Sequence, residues 1–272
     1  MHTPDQYTVI GNPIKHSQSP MIHQAFADQT GHAITYTRTL GRTEHFAEDV
    51  RAFIAAGGKG LNVTVPFKQL AFDLADTLSP HAEAAGAVNT LSVQPDGTLF
   101  GDNTDGIGLV QDLQHNHGIP LAGKHILLIG AGGAARGVLS PLLASQPASI
   151  RILNRNPDKA RSLVALAGMP NVTGGGLSEV PDRPFDLLIN ATAASLHGQV
   201  PAIPVSTIGH LSQAYDMLYS QQPTAFMQWA TEQGAAKVMD GFGMLVEQAA
   251  AAFYLWRGIK PDTAPVLANM PR

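Results

Sequence analysis

His125-Ile126-Leu127-Leu128-Ile129-Gly130-Ala131-Gly132-Gly133-Ala134-Ala135-Arg136 runs from an apolar segment into a glycine turn and then into helix-forming residues. It reads as a strand, a tight turn and a helix start. Gly130, Gly132 and Ala135 match the G-x-G-x-x-G/A spacing of a dinucleotide-binding turn. In that turn the first glycine bends the chain, the second lets a pyrophosphate approach the backbone, and the small third residue lets helix and strand pack closely. N–H groups at the helix start then face the phosphates, where the helix dipole favours negative charge. Gly130, Ala131, Gly132, Gly133 and Ala134 are therefore candidate cofactor contacts. Any tight strand-to-helix turn favours glycine, so the strand before and the helix pattern after carry the reading.

Moving outward, the next strand pattern spans Ser149 to Asn154 and ends Ile152-Leu153-Asn154-Arg155. This is about 20 residues past the turn, where an NAD enzyme carries Asp or Glu for the ribose 2′-hydroxyl. Here that carboxylate is absent. Neutral Asn154 followed by Arg155, with Lys159 at the next helix start, suits a 2′-phosphate, which a guanidinium grips through two parallel hydrogen bonds. The bland alternative for Arg155 is a solvated surface cation; the strand-end position favours NADP.

Strand and helix patterns continue to the C-terminal side: a helix over 157–167, a strand over 186–190, a strand over 213–218, a helix over 224–233, a strand over 236–239 and a long apolar helix over 243–256. Gly174-Gly175-Gly176 and the proline-rich segment Val200 to Pro204 read as loops, and the chain from Pro261 as a polar tail. On the N-terminal side, strands are expected over 7–10, 34–40, 60–65 and 87–93, the last with a hairpin partner near Leu99-Phe100 across Pro95-Asp96-Gly97. Helices are expected from Pro20, with Ser19 as N-cap, over 44–56 and over 105–117. Alternation of strands and helices indicates parallel crossovers.

The 272 residues suffice for two domains, and 44% hydrophobic with 14% charged residues describes a globular chain with an ample interior. A net charge of −4 without a basic block argues against nucleic acid. There are no cysteines, hence no disulfide framework or thiolate metal site, and the eleven histidines form no H-x-x-x-H or H-E-x-x-H pair, so no metal is expected. Met1-His2-Thr3-Pro4-Asp5 lacks the basic and apolar regions of a signal peptide, and no apolar run reaches a membrane span; a cytoplasmic protein is expected.

Several polar groups stand out against this apolar pattern. Ser17 and Ser19, two residues apart, share one face if the segment is extended, and paired hydroxyls hold a small carboxylate; Ser19 also suits a helix cap. Asn62 and Thr64 have the same spacing, and Lys68 follows Pro66. A lysine among such groups is a candidate proton donor, against the commoner surface lysine after a strand. Asp105, in Gly101-Asp102-Asn103-Thr104-Asp105, is a helix-start charge, the partner that orients Lys68, or an acceptor for a substrate hydroxyl. Asn89 ends an apolar strand and is placed to accept from a substrate hydroxyl. Met244 and Gln248 lie four apart on one helix face, with methionine at such spacing more often core than ligand contact. Gly241-Phe242-Gly243 before them leaves room for close approach by a ligand.

Taken together, Ser17-Gln18-Ser19, Asn62-Val63-Thr64-Val65-Pro66-Phe67-Lys68, Gly86-Ala87-Val88-Asn89-Thr90, Asn103-Thr104-Asp105-Gly106, Gly130 to Ala135, Asn154-Arg155 and Met244-Leu245-Val246-Glu247-Gln248 closely resemble the shikimate dehydrogenase family, in its order and over nearly the whole chain. The resemblance implies an α/β substrate domain over 1–103, a Rossmann-like NADP-binding domain over 104–242, and C-terminal helices over 243–272 that return to the substrate domain, with a cleft between the two domains. It implies NADPH-linked reduction of 3-dehydroshikimate to shikimate in aromatic amino-acid biosynthesis. Ser17 and Ser19 would hold the substrate carboxylate; Asn62, Thr64, Asn89, Asp105, Gln248 and Tyr219 would address the rest of the substrate. Lys68 would donate a proton with Asp105 as partner. Asn154, Arg155 and Lys159 resemble the 2′-phosphate site; Asn190, Thr192, Met217, Gly241 and Met244 resemble contacts near the ribose or nicotinamide. Two positions depart from the family pattern. Ala193-Ala194-Ser195 stands where serine or glycine often follows Asn-Ala-Thr, and Ala249 stands where glycine is common. A quinate/shikimate dehydrogenase using either nicotinamide, and a non-catalytic sensor on the same fold, are the alternatives; monomer and homodimer are both open.

Overall fold

The computed structural model describes residues 3–270. In chain order the elements are β1 (Asp5–Gly11), α1 (Ser19–Thr30), β2 (Ile34–Leu40), α2 (Phe46–Ala55), β3 (Gly58–Val63), α3 (Lys68–Leu74), β4 (Thr77–Leu78), α4 (Pro80–Ala85), β5 (Thr90–Val93), β6 (Leu99–Asp102) and α5 (Asp105–Gln111). There follow β7 (His125–Ile129), α6 (Gly133–Ala144), β8 (Ser149–Leu153), α7 (Pro157–Ala167), β9 (Val172–Gly175), β10 (Leu187–Asn190), β11 (Gln213–Asp216), α8 (Ala225–Glu232), β12 (Lys237–Asp240), α9 (Phe242–Arg257) and α10 (Ala264–Asn269). The chain forms two compact units: one runs up to Gly108 and resumes at Leu245, the other is Leu109–Met244.

In the first unit the strand order is β2-β1-β3-β5-β6-β4. β2, β1 and β3 are parallel, while β3 with β5 and β5 with β6 are antiparallel, so the sheet is mixed: the expected hairpin pairs β5 with β6, and the antiparallel β3–β5 pair adds to the expected parallel crossovers. The short hairpin at Pro95-Asp96-Gly97 leaves no length for a crossover helix, which makes the β5–β6 pair antiparallel. Period-2 alternation sorts the side chains. Ile10, Leu61, Val63 and Leu91 meet Phe46, Val50, Phe67 and Ala71 from α2 and α3. The neighbours Tyr7, Gly60 and Tyr36 turn the other way, toward an aromatic cluster with His23 of α1 and Trp256 of α9. Trp256 stacks on Tyr7 at 4.7 Å between centroids and donates its indole N–H to the Leu91 carbonyl at 3.0 Å.

In the second unit six parallel strands take the order β12-β11-β10-β7-β8-β9. Strand order reverses at β7, from which β8 and β9 extend to one side and β10 to β12 to the other; this is the dinucleotide-fold order with its switch point beside β7. β7 and β10 are fully buried along most of their length, as strands covered on both faces must be. Ile126 and Leu128 meet the α6 residues Ala135, Val138 and Leu142 on one face, and Leu127 and Ile129 meet Phe226 and Ala230 of α8 on the other.

Three expected loops and ends differ. Gly174 and Gly175 lie in β9 rather than in a loop, because a Cβ at Gly174 would meet Val164 and Ala160 of α7 at 2.8–3.1 Å: the glycine serves close strand-to-helix packing, not a turn. The tail contains α10, opened by Pro265 in its first turn. The helix from Asp105 widens at Asp112–Asn116 into a π-helical turn. There the buried Asp112 carboxylate accepts from Tyr215 at 2.6 Å and Asn116 at 2.9 Å. Burial pushes the Asp112 pKa up, but hydrogen bonding with His117, Tyr215 and Asn116 outweighs it and the net direction is down.

Candidate active site

The first unit gathers most of the polar residues expected to touch substrate. Ser19 is the first residue of α1 and not its N-cap; Gln18 takes that place in a helical conformation (φ −89°, ψ −5°), so the segment is bent and not extended. The bend still brings the hydroxyls together, Ser17 Oγ donating to Ser19 Oγ at 3.2 Å. Arg38 of β2 fixes the segment by donating from Nε and Nη2 to the Ser17 carbonyl at 2.9 and 2.5 Å.

Asn62, buried near the end of β3, accepts from Tyr36 Oη at 2.6 Å and donates to Thr90 Oγ1 at 3.1 Å. Its side chain thus builds the site from behind. Thr64 lies just beyond the strand, its hydroxyl without a hydrogen-bond partner among the described residues and its methyl group against Gly11. Lys68 opens α3, one residue after the Phe67 side chain buries itself beneath the sheet.

Asp105 opens α5, and its amide donates to Asn103 Oδ1 at 3.1 Å; Asn103, not Asp105, closes off this helix start. The Asp105 carboxylate is therefore available for other partners: Oδ2 accepts from Lys68 Nζ at 2.5 Å and Oδ1 from Asn89 Nδ2 at 2.8 Å. Asn89, 2% exposed, is the hub. Its Nδ2 also faces Thr104 Oγ1 at 3.0 Å and Gln248 Oε1 at 3.1 Å, while its Oδ1 accepts the Thr104 amide at 3.0 Å. Side chains from β3, α3, the segments before β5 and α5, and α9 are thereby joined in one network. The Lys68 side chain is 30% exposed and that of Asp105 11%, so the pair is partly desolvated with the lysine at its open end. A lysine has three N–H donors, and the pair uses one. The arrangement can hold a polyhydroxylated carboxylate and offer a proton at one oxygen.

In the second unit the glycine turn has the geometry its spacing predicts. Gly130 adopts φ +114°, open to glycine but strained for other residues, and a Cβ there would meet the Ala191 carbonyl oxygen at 3.1 Å. Gly132 and Gly133 lead into α6 with nothing within 4 Å of a Cβ built on either, so the backbone faces open space. Ala131 is half-buried, Ala134 exposed, and Ala135 fully buried against the sheet. Beyond β8, Asn154 Nδ2 bonds the Asn156 carbonyl at 2.9 Å, while Arg155 and Lys159 are exposed with no side-chain partner among the described residues. An open turn at a helix N-terminus and two unengaged cations one strand away fit a phosphorylated dinucleotide.

Other expected contacts are engaged within the protein. The Asn190 side chain accepts from Thr192 N and Oγ1 at 3.1 and 2.7 Å and donates to Asp216 at 3.2 Å, so it shapes the loop after β10. A Cβ at Gly241 would fall on the Met217 carbonyl and one at Gly243 on the Asp112 carboxylate, so on that side these glycines admit the protein's own atoms. Met217 is partly buried and packs on the core, and Met244, 8% exposed, belongs to that core with Tyr215 and Met239. Tyr219 follows β11 in the second unit, its ring edge-on to Phe242 and its pKa raised by burial. Asn103, Tyr36, Ser195 and Asp216 escaped sequence reasoning as site-building residues; only Asn103 carried a signal, two residues before a helix-opening Asp.

A two-unit α/β protein is thus defined, one unit with a dinucleotide-binding fold and the other with a lysine–aspartate pair in a polar network. Residues 9–91 match the profile of the shikimate dehydrogenase substrate binding domain, residues 112–199 that of shikimate / quinate 5-dehydrogenase, and residues 241–268 that of the shikimate 5′-dehydrogenase C-terminal domain. The chain is 53% identical over 266 residues to a shikimate dehydrogenase (NADP(+)) of Hahella chejuensis, covering 98% of each chain, and 52% identical over 269 residues to that of Cellvibrio japonicus, covering 98% of this chain and 97% of that one. Among solved structures it is similar to an Ael1 enzyme from Pseudomonas putida (TM-score 0.94, 41% identity, 98% and 99% covered). It is also similar to shikimate 5-dehydrogenase from Thermus thermophilus in complex with NADP(H) and shikimate (TM-score 0.84, 33% identity, 96% of each covered). The chain belongs to the shikimate dehydrogenase family.

Proposed function

We propose that this protein catalyses the NADPH-dependent, reversible reduction of 3-dehydroshikimate to shikimate, a step of aromatic amino-acid biosynthesis, with Lys68 and Asp105 as its catalytic pair. The observation that carries the proposal is the Lys68 Nζ to Asp105 Oδ2 contact of 2.5 Å, with Asn89 on the other carboxylate oxygen. Binding alone requires no proton donor at that point, which counts against a sensor.

Arg155 and Lys159 would hold the 2′-phosphate, with Asn154 neutral beside them, and the backbone of Gly130 to Ala134 the pyrophosphate. When bound, NADPH supplies a hydride to the carbonyl carbon. Lys68 gives a proton to the carbonyl oxygen as negative charge develops there, so that C=O becomes CH–OH, and in the oxidative direction it takes that proton back. Asp105 aims the lysine and fixes it against Asn89. Ser17 and Ser19 hold the substrate carboxylate, and Thr64, Asn89 and Gln248 address its hydroxyls. Asn62 supports them from below, and Tyr219 completes the substrate contacts. Thr192 lines the cofactor side. A cytoplasmic setting, as a monomer or homodimer, belongs to the same proposal.

The test is turnover of shikimate and of quinate with NADP and with NAD, followed by nicotinamide absorbance. Shikimate with NADP is expected to dominate. Quinate with NAD at comparable efficiency would refute the assignment, and no turnover in any combination would leave a binding protein.

A further inference from the structure

Asp216 is fully buried at the end of β11, directly beside Asn190 at the end of β10, yet the mechanism above gives it no role. Its carboxylate has four donors. Oδ2 accepts from Ser195 Oγ at 2.6 Å and Thr224 Oγ1 at 2.7 Å; Oδ1 accepts from Asn190 Nδ2 at 3.2 Å and the Leu218 amide at 3.1 Å. One side chain therefore ties together the loop after β10, the loop after β11 and the N-cap of α8. The first of these is folded back further by Asn190 Oδ1, which accepts from Thr192 N and Oγ1, and by Thr192 Oγ1, which accepts the Ala194 amide at 3.2 Å. Ala193 and Ala194 bring no side-chain donor. Ser195 is the only hydroxyl between Thr192 and Ser206, and it closes the loop onto the carboxylate.

The side of the sheet tells which half of the ligand this loop faces. β8, followed by Arg155 and Lys159, lies on one side of β7, and β10 and β11 lie on the other. In this strand order each half of the sheet receives one nucleotide. If the cations after β8 take the 2′-phosphate, the ends of β10 and β11 are left for the nicotinamide half.

We propose that Ser195 and Asp216 form a clamp that holds the Asn190–Ser195 loop in the shape that receives the nicotinamide half of the dinucleotide, and that both are positioning residues for hydride transfer. The proposal rests on the NADPH reading above. Burial raises the Asp216 pKa, and its four hydrogen bonds offset only part of that shift.

The test compares binding of NADPH, by its fluorescence, with binding of 2′-phosphoadenosine 5′-diphosphoribose, which lacks the nicotinamide, by competition, using the full chain and its Ser195→Ala and Ser195→Thr variants. Ser195→Ala is expected to weaken NADPH about three- to tenfold, the size of one hydrogen bond, while the fragment changes by less than about twofold; Ser195→Thr restores NADPH affinity. Thermal melting accompanies each variant, and a merely structural bond would move melting without separating the two ligands. Equal weakening of both ligands, or unchanged NADPH affinity, overturns the clamp. Wild-type protein that binds NADPH but turns over no shikimate would refute the enzymatic assignment while leaving the clamp to be judged on binding.

Discussion

Replacing His23 with phenylalanine removes a proton site that the folded chain keeps empty until acid. His23 is fully buried, its ring stacked on Tyr36 with centroids 4.4 Å apart and planes 8° apart, and neither ring nitrogen reaches a hydrogen-bond partner. Burial lowers its pKa from 6.5 to about 3, with nearby Asn62 offsetting a small part. In the unfolded chain the same group takes up its proton near pH 6.5. Between these values the unfolded state holds more protons, so stability falls as pH falls, by a little over 1 kcal/mol per unit and by about 3 kcal/mol from pH 7 to pH 4. Phenylalanine keeps the stack and loses no hydrogen bond, so the variant should lack that slope. Urea unfolding at several pH values, in a Trp229→Phe background, reports on the first unit through Trp256, which lies 5.3 Å from His23 ring to ring. The wild type should lose stability relative to His23→Phe by about 3 kcal/mol as pH goes from 7 to 4. Parallel pH dependences would refute the reasoning, since the histidine would then share its proton equally between folded and unfolded chains.

Lys68→Ala should lower kcat by roughly 10² to 10⁴ with a modest change in KM, and a large KM rise at preserved kcat would move Lys68 from proton transfer to binding. Arg155→Ala should weaken NADPH by about 1.5 to 3 kcal/mol while sparing NADH, as measured by titration; equal loss for both would contradict the 2′-phosphate role. Gly132→Val should change stability by no more than about 1 kcal/mol, since the new side chain meets only open space, yet weaken NADPH at least about tenfold; retained affinity would show that the turn does not face the ligand. Gly241→Ala should do the reverse, costing about 1 to 3 kcal/mol of stability because its Cβ falls on the Met217 carbonyl, and a melting temperature equal to wild type would contradict that packing.

Where a local pattern determines structure, the sequence was legible. β2 and α7 take the expected spans, 34–40 and 157–167, because one has clean alternation and the other a proline in its first turn. The glycine turn was readable for the same reason: its φ and its open face are properties of a few adjacent residues. What escaped depends on partners distant in the chain. The three glycines at 174–176 suggest a loop until Val164 and Ala160 are seen against Gly174. Gly241 has a packing role that its neighbours in sequence do not show, since the Met217 carbonyl lies where its Cβ would be. Asp105 reads locally as a helix-start charge or as the partner of Lys68, and the fold decides by bringing Lys68, 37 positions earlier, to its carboxylate. The chemistry-bearing types were visible as residues; the hub role of Asn89 and the four-donor pocket of Asp216 were not, since no spacing rule encodes them.

The first unit is assembled from two stretches of chain separated by the whole of the second, and this sets an order of manufacture. During synthesis from the N-terminus, the segment Leu109–Met244 is complete and able to fold as a unit before the ribosome has made α9 beyond its first turn. Until then the sheet beside Gly60 lacks Trp256, which will occupy the space a side chain would need there, and the Leu91 carbonyl lacks its indole donor. Asn89 likewise waits for Gln248, 159 positions later. The half of the protein made first is thus finished last, and a nascent chain stopped at Met244 would hold a complete nucleotide fold and an unsealed substrate side.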